Sequence, residues 1–152
     1  MRILNAQSKQ AQIIRLPSWL AHVGPYLPQR PWSEALVFAL EAARQTRILL
    51  ADLSFLDDKV IQINIEDLGV LASVRYCSGR FRAMPSDSMA DILLSASACD
   101  YLKLLRREED PDTLFFQRRL RIEGDTELGL ILKNFLDSSE LPRWLQRLIG
   151  TI

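Results

Sequence analysis

Nucleophilic and metal-dependent catalysis draw heavily on histidine and cysteine, and this chain is poor in both. His22 is the only histidine, and Cys77 and Cys99 are the only cysteines. The cysteines stand far apart, so a zinc site of the C-x-x-C with H-x-x-x-H kind cannot be assembled. No metal and no cofactor are therefore expected. A Ser-His-Asp or Cys-His pairing would have to use His22, which lies in a proline-bounded segment rather than a nucleophile motif. Carboxylates remain: Asp52, Asp57, Asp58, Glu66 and Asp67 in one stretch, Glu108, Glu109, Asp110 and Asp112 in another. An acid-base pair needs surroundings that drive two pKa values apart, and these groups read as solvated turns. The expectation is a protein that is not an enzyme.

Two places could take an anion. Gly124-Asp125 precedes a helical pattern, but a carboxylate beside a single glycine repels phosphate, so the pair reads as a strand exit and helix cap. Arg118, Arg119 and Arg121 lie on or beside a predicted strand, with Arg119 and Arg121 on one face and Leu120 and Ile122 on the other. That arrangement suits a solvated sheet face or an anionic head-group site. In LPRWLQRLIGTI, Leu141, Trp144, Leu145 and Leu148 recur at helical spacing, with Arg143, Gln146 and Arg147 away from them. Such a short amphipathic helix can close over the domain as a lid or dock on an anionic membrane surface.

These groups must be held by a core, and the composition supports one. The chain has 152 residues, 48% hydrophobic and 25% charged, which suits one compact domain and excludes a disordered or fibrous chain. Nineteen basic and nineteen acidic residues cancel, leaving no global positive field for a nucleic-acid backbone. Polar residues interrupt Met1 to Gln12 where a secretory signal needs an apolar run, and prolines break the charge-free stretch from Leu16 to Gln29. A cytoplasmic protein without a membrane span is expected, its cysteines reduced and serving as small hydrophobes.

Residues 1–30 read as an irregular N-terminal wrapping segment and 31–152 as the domain. A helix is predicted over 31–50, with Trp32, Ala35, Leu36, Ala39, Leu40 and Ala43 at helical spacing and Val37 and Phe38 widening the apolar face. In KVIQINIE, Ile61, Ile63 and Ile65 alternate with Gln62, Asn64 and Glu66, predicting a strand with one wet face. VLASVRYC and RFRAM complete a three-strand antiparallel meander. A fourth strand is predicted over 91–96, followed by a helix with Ala98, Tyr101, Leu102 and Leu105 on one face. A short turn or helix follows over 110–117, and a fifth strand over 119–123. Then come a helix carrying Leu128, Ile131, Leu132, Phe135 and Leu136, and a last helix from Pro142. Partly segregated strands and helices predict an α+β fold: a five-stranded, mainly antiparallel sheet with helices packed on one face.

The stretch DILLSASACDYLKLLRREEDPDTLFFQRRLRIEGDTELGLILKNFLD resembles the sterol carrier protein type 2 lipid-binding fold. It has an Asp-led strand, an Asp-x-Leu helix (Asp100, Leu102), a Phe-rich turn and a strand ending in Gly124-Asp125. Within that superfamily, the run from Asp110 through Gly129 is similar to bacterial ubiquinone-biosynthesis accessory factors, as is Asp52 to Leu56; the resemblance covers roughly residues 31–138. It implies a non-catalytic accessory protein of oxygen-independent ubiquinone synthesis. Such a protein would handle a polyprenylated intermediate in a hydrophobic cavity and cooperate with UbiU and UbiV. The alternative is a phospholipid-binding or transfer protein that docks on anionic membrane, peripheral at the inner membrane. The cavity would be lined by Ile61, Ile63 and Ile65, by Phe115 and Phe116, and by Leu128, Ile131, Leu132 and Phe135, and closed by Trp144, Leu145 and Leu148. Each of these side chains would serve equally in a filled core.

Overall fold

A computed structural model describes residues 30–45, 52–138 and 147. Of the wrapping segment expected over residues 1–30, all but Arg30, which opens a helix, lies outside the described residues, as does the helix expected from Pro142 apart from Arg147. The elements are helix α1 (Arg30–Gln45), a 3-10 turn (Ser54–Leu56), and strands β1 (Val60–Ile65), β2 (Val70–Cys77), β3 (Arg80–Met84) and β4 (Ile92–Ala96). Helices α2 (Ala98–Arg106) and α3 (Pro111–Phe116), strand β5 (Arg121–Gly124) and helix α4 (Thr126–Ser138) follow. The five strands form one sheet in the order β3-β2-β1-β4-β5. The expected meander β1-β2-β3 is antiparallel, β4 pairs parallel to β1, and β5 pairs antiparallel to β4. The β2–β3 hairpin turns on Ser78 and Gly79, both at positive φ (52° and 76°), which matches the twist of the strands it joins.

Register explains the core. Ile61 lies beside Val74 and Ile92, and Ile63 beside Ala72 and Leu94, so alternation brings one apolar face across the sheet. Leu53, Leu56, Leu128 and Leu132 close over Ile61, Val74, Phe81, Ile92 and Leu94, with Leu36, Val37 and Leu40 of α1 and Phe135 of α4 packed against them. Helices α1 and α4 therefore cover the same sheet face, as expected. A second cluster, Ala96, Leu114 and Leu120 with Tyr101, Leu104 and Ile122, holds α2 and α3 to the end of β4. Tyr101 donates to the Leu94 carbonyl at 2.9 Å; burial and the nearby Glu66 carboxylate push its phenol pKa up.

The opposite face differs from the expectation of a wet surface. Gln62 is buried, and its amide donates to the carbonyls of Ser86 (3.1 Å) and Ser88 (2.9 Å). A parallel β1–β4 pair needs a crossover, and the β3–β4 connection supplies it by passing over Gln62. Alternation correctly sets Gln62 opposite the isoleucines but carries no information about a loop from farther along the chain.

The buried stripe of α1 also differs from its apolar count. Trp32, Ala35, Phe38 and Ala39 are exposed, whereas Ser33 is buried beside Leu36, Val37 and Leu40. The Ser33 hydroxyl accepts from the Ser73 amide at 2.9 Å, and the Glu41 carboxylate accepts from the Phe81 amide at 2.8 Å on edge strand β3. Burial pushes the Glu41 carboxyl up, but the Phe81 amide, Arg44 and Arg80 together hold it below its ordinary value. Satisfying strand amides outweighed burying a few more methyls, because an orphaned buried N–H costs about 1–3 kcal/mol. Ser33→Ala should accordingly lower unfolding free energy by about 1–2 kcal/mol in a urea titration, with the slope of the transition unchanged.

Candidate lipid-binding site

A cleft of about 200 Å³ opens between α3, β5 and α4, lined by Phe115, by Ile122 to Thr126 and by Gly129, Leu130 and Lys133. Local chemistry fixes each wall. Asp110 caps α3 by accepting from the Thr113 amide (2.8 Å) and hydroxyl (2.6 Å), and Pro111 sits in the first turn, where its missing donor costs nothing. The chain then reverses through Arg118 at φ 60° and enters β5. Asp125 accepts from the amides of Glu127 and Leu128, both at 3.0 Å, so the predicted strand exit and helix cap is what the structure contains. Gly129 lets α4 approach β5: a Cβ there would lie 3.0 Å from Ile122 Cγ2. Lys133 pairs with Asp112 at the rim. A shallow depression of about 440 Å³, bounded by Phe115, Phe116, Arg118, Leu120, Arg121 and Ile122, adjoins the cleft through Phe115 and Ile122.

The lining combines Phe115, Ile122 and Leu130 with Glu123, Asp125 and Lys133. Among the described residues no group of three His, Cys, Asp or Glu side chains converges as a metal site. No helix of the described residues is long and apolar enough to cross a membrane. Apolar walls between a strand and two helices instead suit a chain or ring that needs shelter from water.

Comparison with known proteins agrees with that character. A sequence model described as the SCP-2 sterol transfer family matches residues 39–137, from the middle of α1 to the end of α4. The chain belongs to this family. The chain is 37% identical over 138 residues to the ubiquinone biosynthesis accessory factor UbiT of Escherichia coli K12, an alignment that spans 85% of this chain and 78% of that protein. UbiT of E. coli O157:H7 matches equally. The solved structure of the UbiJ-SCP2 ubiquinone synthesis protein superposes with a TM-score of 0.55 at 17% identity, covering 72% of this chain and all of that one, which establishes the shared fold.

Within the SCP-2 domain the sequence-predicted lining residues separate into groups. Ile61, Leu128 and Leu132 are buried in the main cluster, with Ile63 and Phe135 packed against it, and Phe135 meets Phe55 at 6.0 Å between ring centroids. Ile65 is half-buried on the same strand, and Ile131 is exposed. Phe115 lines the cleft, while Phe116 is 80% exposed beside it. Trp144, Leu145 and Leu148 lie outside the described residues. The walls that sequence reasoning missed are Ile122, Gly129 and Leu130. Ile122 had been set opposite the arginines of its strand, so alternation already placed it inward; Leu130 falls off the predicted helical stripe and gave no signal.

The charged groups need two corrections. Arg119 does not belong to a solvated sheet face: β5 begins at Arg121, and the Arg119 guanidinium turns back to Asp100 and, at 2.6 Å, to Glu109. Glu109 is not a free carboxylate in a turn either, since Lys103 also donates to it at 2.8 Å. The Lys103 hydrogen bond, followed by that of Arg119, outweighs desolvation and holds the Glu109 carboxyl below its ordinary value. Both assignments failed because Asp100 and Lys103 of α2 reach these groups and Arg119 and Glu109 reach each other, at sequence separations that periodicity does not register.

Proposed function

We propose that this protein is a non-catalytic, lipid-binding accessory factor of ubiquinone biosynthesis, which shields the apolar tail of a polyprenylated intermediate. The observation that carries the reading is the 37% identity to UbiT across 85% of the chain, joined to an apolar cleft between α3, β5 and α4. Each methylene removed from water contributes about 0.8 kcal/mol, so a prenyl tail is held without any charged or covalent contact. The cleft is smaller than the 300–1,000 Å³ of ordinary small-molecule sites. It therefore takes one end of a tail, and the remainder enters when α4 parts from the sheet, turning Ile61, Ile63, Ile65, Leu128, Leu132 and Phe135 from core into lining. Ile131 and Phe116 flank that opening, and Trp144, Leu145 and Leu148 close it. The protein works in the cytoplasm with UbiU and UbiV, in the oxygen-independent route, with transient contact at the inner membrane.

The test is lipid extraction and mass spectrometry on protein purified from cells grown without oxygen. A co-purifying polyprenylated quinone precursor is the expected result. Diacyl phospholipid alone would favour a phospholipid carrier, and protein empty of lipid would overturn both readings. Leu130→Glu, at the cleft, and Phe135→Glu, under α4, should each lower retained lipid by roughly tenfold or more, because a carboxylate must be desolvated where a tail should lie. Asp57→Ala, on an exposed turn, should leave retention unchanged.

A further inference from the structure

Phe116 is 80% exposed and Phe115 42% exposed, both on α3, a helix of six residues, and their rings stand edge to face with centroids 5.9 Å apart. Water-facing aromatics in such a cluster are costly to keep unless something apolar covers them in use. The charge around them indicates what that is. From Thr113 to Leu120 the chain carries Arg118 and Arg119 and no acidic residue. Arg119 turns inward to Asp100 and Glu109, whereas Arg118 is exposed, has no ion-pair partner among the described residues, and is held beside the rings by a positive φ. Arg121, also exposed although paired with Glu66, borders the same depression.

We propose that the α3 tip is a membrane-docking surface, with Phe116 and Phe115 entering the headgroup region of an anionic bilayer and Arg118 binding lipid phosphates. Aromatic side chains at the interface with a long cation reaching the phosphate level are the chemistry that holds a protein on a lipid surface without spanning it. Phe116 is 80% exposed, as an interfacial anchor must be, and exposed cations lie beside it on the rim of the same shallow depression; a protein hot spot instead seats its aromatic in a closely packed, desolvated pocket. Phe115 and Ile122 belong to both the depression and the cleft, so docking sets the mouth of the cleft on the bilayer. The proposal rests on the lipid-carrier reading and extends it by giving the cargo a dry route in and out.

Vesicle sedimentation with the full chain tests it, using phosphatidylethanolamine–phosphatidylglycerol vesicles against vesicles of phosphatidylcholine alone. Binding should favour the anionic vesicles and weaken as salt screens Arg118. Phe116→Ser should reduce partitioning roughly tenfold, and Arg118→Glu roughly tenfold or more on anionic vesicles, by removing a cation and adding a like charge. Phe38→Ser removes a comparably exposed aromatic on α1 and should change nothing. All three sites are exposed, and unchanged thermal melts will confirm folding. Wild-type binding by Phe116→Ser and Arg118→Glu, or vesicle binding lost equally in Phe38→Ser, overturns the assignment; so does loss of a protein partner with vesicle binding intact. Retained lipid is measured separately, so an empty protein that still docks would sink the carrier reading while leaving this one standing.

Discussion

Gly124→Ala should destabilise the fold by about 4 kcal/mol. Gly124 sits at φ 112°, where L side chains are strained. Its missing Cβ is also a steric necessity: that atom would overlap the Asp91 carbonyl oxygen and stand 3.1 Å from the carbonyl carbon and 3.2 Å from Ile92 Cα. All three obstacles are backbone, so no rotamer change relieves them. The same few residues hold three elements together. Asp91 accepts from the Val60 amide at 2.7 Å through its carboxylate, its amide donates to the Val60 carbonyl at 2.9 Å, and its carbonyl accepts from Asp125 at 2.9 Å. Displacing Gly124 therefore loosens β5 from β4 and shifts the cap of α4, opening the cleft from its end. Urea unfolding should show the lowered midpoint, and retained lipid should fall with it. A variant within 1 kcal/mol of wild type would mean the turn relaxes in a way that this packing does not permit.

Arg119→Ala should cost about 2 kcal/mol at neutral pH. Removing one partner of a fully buried ion pair costs about 3–5 kcal/mol, but Arg119 is itself about one-third exposed, and water recovers part of that loss. Most of the remainder comes from Asp100, whose side chain is 11% exposed; it accepts from the Ser97 hydroxyl at 2.8 Å and would lose its only ion-pair partner among the described residues. The pH dependence carries a sign. Glu109 is held below its ordinary value of 4.5 by Lys103 and Arg119. The stability it contributes is therefore complete above that value and lost as pH falls through the lower folded-state value. Without Arg119 this depression is smaller, so the gap between wild type and variant should be widest near neutrality and narrow below about pH 4.5. Denaturant titrations across that range would read it, and a gap that widened in acid would contradict the assignment of Arg119 to these carboxylates.

The elements themselves were legible because their signals are local. Ile61, Ile63 and Ile65 announce a strand and its inner face, Ser78-Gly79 a tight hairpin, and Gly124-Asp125 a strand exit and cap; each is set by residues within a few positions of one another. The candidate site was legible only in part. Phe115, named from the Phe-rich turn of the family resemblance, does line the cleft, but Ile61, Leu128 and Leu132 meet in a closed cluster, since a core and a cavity wall have the same composition. Leu130 escaped notice because a helix residue off the main apolar stripe counts as outward unless a neighbouring element is known to stand beside it.

Taken alone, the amino-acid sequence determined the α+β class, the mainly antiparallel sheet and the scarcity of histidine and cysteine, which follow from residue type and short-range period, while the family likeness rested on the resemblance of the stretch from Asp91 onward to known members. Only the tertiary structure decided that Ser33 and Glu41 bind strand amides, that a loop buries Gln62, that Arg119 turns inward, and where the cleft opens. Each of these is a contact between segments far apart in the chain. Whether a polar side chain meets water or a partner there is governed by hydrogen bonds that must be satisfied after folding, and these leave no periodic trace in the sequence.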